Sequence, residues 1–149
     1  YITKTIESTD GRKITLNIWD SAGDPRSGSM PPMFIHGSQA AIIVFDIQNE
    51  DSFNSVEQWI KMVEQSEAFN CRIYIVANKV DLGGTKVLSN ARTWASNCKH
   101  RLFVSSASDP LSILRIFQDI SVDLIRKEDP SSQVRFPIPR ENDKSCHCC

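Results

Sequence analysis

Apolar residues change their spacing several times along the chain, and each change predicts an element. Residues 1–9 alternate loosely and are β-prone, and Asp10-Gly11 is a strong turn dipeptide. Ile14, Leu16 and Ile18 then alternate with Thr15, Asn17 and Asp20, which predicts a hairpin of two strands. Ser21 to Gly37 is rich in Gly, Ser and Pro and reads as a loop with one helical turn at most. Residues 40–47, a continuous apolar run, read as a strand buried on both faces. Asp51 or Ser52 is expected to cap an amphipathic helix reaching about Ala68, with Phe53, Val56, Ile60 and Val63 at spacings of three and four. A second buried strand follows at Arg72 to Ala77, then a helix over 86–98 with Val87, Leu88, Ala91 and Trp94 or Ala95 on one side. Leu102 to Val104 is a third short strand. Asp109-Pro110 opens the last helix as N-cap and first residue, with Ile113, Phe117, Ile120 and Leu124 as its stripe. From about Lys127 the chain is polar and aperiodic, which reads as a disordered tail over 127–149.

Strands and helices thus alternate after an initial hairpin. That order predicts an α/β fold with a mostly parallel sheet, right-handed crossovers and one antiparallel edge hairpin. In such sheets ligands bind at the carboxyl ends of the strands.

With 149 residues the chain fits one domain with a sizeable core. A net charge of −1 without a long basic block gives no electrostatic argument for nucleic acid. No apolar run approaches the ~20 residues of a membrane span. The start at Tyr1 rather than Met reads as a fragment whose N-terminus lies upstream. Five cysteines are too few and too unevenly placed for a disulfide scaffold; Cys71 and Cys98 read as small buried thiols.

Three short stretches fall at the predicted strand tips. In Trp19 to Asp24, the Asp20 carboxylate can reach Mg²⁺ through water and Gly23 can offer its N–H to a phosphate. In Asn78-Lys79-Val80-Asp81, Asp81 can accept two parallel hydrogen bonds from the N1–H and exocyclic amine of guanine, a pattern adenine lacks. The Lys79 stem can lie over the base plane, and Asn78 can tie neighbouring loops together. Ser105 to Ser108 offers a small-residue backbone where an N–H meets the guanine O6. Each stretch alone has a plainer explanation, as a common turn or a solvated loop. Their joint order on the strand tips of one α/β pattern carries the argument.

These residues resemble the Rab-type small GTPases of the Ras-like superfamily. Thr5-Ile6-Glu7, Asp10-Gly11 and Leu16-x-Ile18-Trp19-Asp20-Ser21-Ala22-Gly23 are similar to that family's second and third strands and the start of its switch II. Ile43 to Ile47 with Ser52-Phe53 and Trp59 is similar to the next strand and helix, and Asn78-Lys79-x-Asp81-Leu82 to the guanine-specificity motif. The likeness covers about residues 1–126, taken as a partial GTPase domain. It implies a P-loop GTPase fold, GTP or GDP with Mg²⁺ as ligands, and guanine contacts from Asn78, Lys79, Asp81, Ser106 and Ala107. It further implies effector, exchange-factor and GDP-dissociation-inhibitor proteins as partners. The setting it implies is vesicle traffic on the cytoplasmic face of intracellular membranes, in exchange with the cytosol.

Departures from the pattern also carry expectations. The family's Gly-x-x-x-x-Gly-Lys-Ser/Thr phosphate loop is absent, together with its strand, the following helix and the switch I threonine. Because that strand is central in the family, its loss is expected to leave two apolar edges and open core surface. Little GTP affinity is expected of the chain without the loop. Asp24 stands where the family usually has the glutamine that orients the attacking water, and a carboxylate cannot donate to the γ-phosphate. Pro25 and Pro31-Pro32 stiffen the same region, so slow hydrolysis is expected. Ser108 replaces a common Lys.

Cys146-His147-Cys148-Cys149 closes the chain. Donors packed this tightly do not easily surround a tetrahedral zinc, and no second ligand pair lies upstream. Prenylation fits better, and the resemblance implies geranylgeranyl groups on paired cysteines, naturally Cys148 and Cys149. Arg126, Lys127, Arg135, Arg140 and Lys144 are nearly balanced by Glu128, Asp129, Glu141 and Asp143. Without a polybasic helper, one lipid binds only marginally whereas two anchor stably. Two functional readings compete: a GTP-dependent switch, and a pseudo-GTPase acting as a membrane-tethered binding module without turnover. An unrelated α/β domain is a third.

Overall fold

The computed structural model describes residues 1–8, 11–21, 23, 35, 37–66 and 71–128. It opens on an antiparallel hairpin of β1 (Ile2–Glu7) and β2 (Lys13–Ile18), in a register that sets Ile6 opposite Ile14 and Thr5 opposite Thr15. The pleat sorts the two faces. Thr3 Oγ1 donates to Asn17 Oδ1 at 2.9 Å on the wet face, while Ile6 is buried on the other. Gly11, at φ 82°, supplies the positive φ that this turn needs.

A separate three-stranded parallel sheet has the order β3 (Ala40–Asp46), β4 (Arg72–Asn78), β5 (Arg101–Val104). Central β4 is dry on both faces: Tyr74, Ile75, Val76 and Ala77 are all buried. On one side Ile43, Phe45, Ile75 and Ala77 meet Val56 and Ile60 of α2 (Val56–Gln65) and Ala91 of α3 (Thr85–Asn97). On the other, Tyr74 and Val76 meet Ile116 and Ile120 of α4 (Pro110–Glu128). Burying one such aliphatic or aromatic side chain stabilises by roughly 1.5–3 kcal/mol, so β4 anchors both layers.

Several sequence expectations shift in detail. The helix predicted after β3 is two pieces, α1 (Glu50–Asn54) and α2, divided at Ser55. Its cap is Asn49, not Asp51 or Ser52: Asn49 Oδ1 accepts from the backbone N–H of both residues at 3.0 and 3.2 Å. Helix α2 stops at Gln65, short of Ala68, which lies outside the described residues together with Cys146, Cys148 and Cys149. On α4, Asp109 caps as expected, its Oδ1 accepting from Leu111 N at 3.0 Å. The helix continues to Glu128, two residues into the expected tail. Among its apolar residues, Ile116 and Ile120 are buried deepest, while Ile113 and Phe117 are half-buried.

Strands β2 and β3 are not hydrogen-bonded to each other. Among the described residues each has one unpaired edge, and between them lies a slot of about 1200 Å³ lined by Leu16, Ile18, Ile42, Val44, Phe117 and Leu124, among others. The apolar edges and open core surface expected of a sheet lacking its middle strand are therefore present. The slot also explains why β3 is not buried on both faces as expected: Val44 is 57% exposed between buried Ile43 and Phe45, and Ala40 to Ile42 are half-buried.

Candidate functional site

Strand β4 delivers the site. It ends at Asn78, after which Lys79 takes a left-handed conformation at φ 65° and Val80–Leu82 form a 3₁₀ turn. The turn reverses the chain over the strand tips, where backbone bonds hold it. Ile47 N donates to Asn78 O at 3.2 Å, Val80 N to Ser105 O at 3.3 Å and Ser105 N to Ala77 O at 2.9 Å. Three strand ends thus share one hydrogen-bonded rim.

Side chains complete the rim. Ala107 N donates to Asn78 Oδ1 at 3.0 Å, tying the loop after β5 to the tip of β4. Ser106 Oγ donates to Asp81 Oδ1 and accepts from Ser108 N at 3.1 Å. Ser106 is itself fixed from α4, since Ser112 Oγ donates to its carbonyl at 3.1 Å. Ser106 is buried and Asp81 exposed, so a buried hydroxyl steadies a carboxylate that faces solvent. One hydroxyl contact leaves that carboxylate with lone pairs for further donors.

One participant escaped the sequence reading. Asp46, the last residue of β3, lies opposite Asn78 in the parallel register. Its Oδ2 is 2.6 Å from Lys79 Nζ, and its Oδ1 accepts from Gln48 N at 2.8 Å. The hydrogen bond from Lys79, then that from Gln48, holds the Asp46 carboxyl below the usual carboxylate range. The available signal was a lone carboxylate closing an apolar strand run.

The other expected residues are placed apart. Asp20 and Gly23 line the slot beyond the end of β2, and among the described residues no hydrogen bond or ion pair connects them to the rim. Asp20 is exposed and is one carboxylate, which suits Mg²⁺: this ion keeps several waters and takes one or two carboxylates plus phosphate oxygens. Among the described residues no cluster of three or more His, Cys, Asp or Glu makes a protein-only metal cage. Asp24, Cys148 and Cys149 lie outside the described residues. No described helix is long and apolar enough to cross a membrane.

Comparison with known proteins then decides the family. The model of the Ras family matches residues 1–126. The chain belongs to the Ras family. Within it the likeness is to Rab-type small GTPases: Ras-related protein Rab-21 of Geodia cydonium is 33% identical over 123 residues, covering 81% of this chain. Those residues are 54% of that relative, so the chain spans about half its length. For a Ras-family chain, the mixed architecture of a parallel sheet and an antiparallel hairpin is the expected one.

Proposed function

We propose that the protein is a Rab-like molecular switch that binds GDP and GTP with Mg²⁺, hydrolyses GTP slowly, and acts in vesicle traffic. The carrying observation is the paired bracing of the base-reading residues, Ala107 to Asn78 and Ser106 to Asp81. Such bracing is what a site needs to meet a base edge without reorganising. In this reading Asp81 takes the guanine N1–H and amine, Lys79 covers the base plane, Ala107 N–H meets O6, and Asp20 approaches Mg²⁺ through water. The phosphate grip comes from a strand and Gly-rich loop seated in the slot beside β3. Gly23 adds an N–H to the γ-phosphate. Cys148 and Cys149 carry geranylgeranyl groups that hold the protein on the cytoplasmic face of intracellular membranes. Effectors, an exchange factor and a GDP-dissociation inhibitor are its protein partners.

The full-length gene product containing this chain tests the reading. It is expected to bind GDP in strong preference to ADP. Asp81→Asn is expected to reverse the preference between GDP and its xanthine counterpart, because an amide offers one acceptor and one donor to a base with N1–H and a 2-oxo group. ADP binding as tightly as GDP would sink the proposal.

The second reading, a binding module without turnover, is favoured by Asp24 at the position of the water-orienting glutamine. GTP turnover separates the two. Asp24→Gln is expected to raise the rate in a switch and to leave a turnover-free module silent.

A further inference from the structure

We propose that Asp46 is a positioning residue for the base site, acting through Lys79. The inference rests on the guanine-binding reading above. Its own grounds are geometric.

A lysine is a poor structural plate for a base unless something fixes its far end, because its stem has four rotatable bonds and its ammonium is drawn to water. Here both ends are held. The backbone of Lys79 is locked in the left-handed region at φ 65°, between Asn78 at the end of β4 and the 3₁₀ turn that begins at Val80. The ammonium sits 2.6 Å from Asp46 Oδ2, across the strand tips. The stem is therefore stretched from β4 towards β3, along the rim that carries Asn78 and the loop of Asp81.

Asp46 is built for this task on its own side. It ends β3, its N–H donates to Ser52 Oγ at 3.0 Å, and its other oxygen accepts from Gln48 N at 2.8 Å. With those contacts the carboxylate has little freedom to follow the lysine away. Gln48 reinforces the arrangement, donating from Nε2 to the Gly83 carbonyl beyond the turn. Residues 46–48 thus grip the base-reading loop at Lys79, at the Asn78 carbonyl through Ile47 N–H, and at Gly83. The Asp46–Lys79 contact is the one among these that involves a side chain expected to touch the ligand. Lys79 is half-exposed and Asp46 mostly covered, so solvent weakens the pair without dispersing it.

The test uses Asp46→Asn in the full-length protein. Asparagine keeps the Oδ1 acceptor for Gln48 N and removes the charge that holds Lys79. Release of a fluorescent GDP analogue is expected to quicken about two- to fivefold, as for a part-screened ion pair, while the melting temperature of the nucleotide-free protein falls only by the small share that this pair contributes. In a Lys79→Ala background the same substitution is expected to add nothing, and Asp46→Glu is expected to restore part of the wild-type rate. Release of the inosine analogue, which lacks the 2-amino group read by Asp81, is expected to quicken by the same factor. Equal effects of Asp46→Asn with and without Lys79, or no effect on release, overturn the positioning role and leave guanine binding standing. A wild-type protein that holds no guanine nucleotide overturns both.

Discussion

Consider Ser106→Ala, which deletes one buried hydroxyl next to an exposed carboxylate. That oxygen donates to Asp81 Oδ1 and accepts from Ser108 N at 3.1 Å. Ser108 is exposed, so water replaces its lost acceptor at small cost. The bond to Asp81 matters more. Hydrogen bonds to charged groups contribute roughly 1.5–3 kcal/mol, and the exposure of Asp81 brings this one to about 1 kcal/mol. Part of that is native-state stability, expected as a fall in melting temperature of about 2–6 °C for a domain of this size. The rest appears on binding, because a freed carboxylate must be immobilised again at roughly 0.5–1.5 kcal/mol. GDP affinity is thus expected to drop about two- to tenfold, read by competition against a fluorescent GDP analogue. The drop should be smaller for IDP, which lacks the 2-amino group, and Ser106→Thr should behave nearly as wild type. A loss equal for GDP and IDP, or a melting change with no change in GDP affinity, would refute the claim that Ser106 aims Asp81.

Other expectations concern the scaffold and its titrating groups. Ile75→Ala, at a side chain with 0% exposure in the layer that β4 packs against α2 and α3, is expected to cost about 3–4 kcal/mol in urea unfolding; a cost under 1 kcal/mol would mean that β4 is not the anchor of that layer. Burial pushes the Cys71 thiol up from its ordinary 9.0, since the thiolate is the form that burial disfavours. Iodoacetamide should therefore label Cys71 more slowly than free glutathione at pH 8. The stability tied to this thiol is full below 9.0 and is lost as pH rises through its higher folded value. Asp46 runs the other way: its folded value is depressed, so its contribution is present above 3.8 and lost as pH falls through that lower value. Acid unfolding of Asp46→Asn, followed by far-ultraviolet circular dichroism, should lack that share of the wild-type slope.

Much of this was legible in the chain, for identifiable reasons. Local chemistry sufficed where one residue type had one job: Asp109-Pro110 starting α4, Gly11 turning the hairpin, and the apolar run through β4. It failed where equivalent residues competed. Asn49, Asp51 and Ser52 are all good caps by type, and only the extended backbone of Asn49 (φ −125°, ψ 105°) settles which one serves. The burial of Ile116 rather than Ile113 depends on how α4 sits on the sheet, which helical periodicity leaves open by about one turn. Asn78, Lys79 and Asp81 were visible as a motif, and Ser106 and Ala107 were visible beside it, whereas the support of Lys79 was not. Asp46 is distant in sequence and meets Lys79 only through the parallel register of β3 on β4.

The slot has a thermodynamic meaning as well as a geometric one. The hairpin carrying Asp20 and the sheet carrying Asn78 and Asp81 share no ladder bond, so whatever seats between them joins the metal side of the proposed site to its base side. In the proposed reading, a nucleotide spanning both sides would stabilise a strand seated there by mass action, and the strand would in turn stabilise the nucleotide. The two equilibria are reciprocal. A substitution at Leu16, Ile42 or Val44, which line the slot and not the base-reading rim, is therefore expected to be read by the cell as weak nucleotide binding. Loss of nucleotide, for its part, would register as an aggregation-prone protein with two bare strand edges.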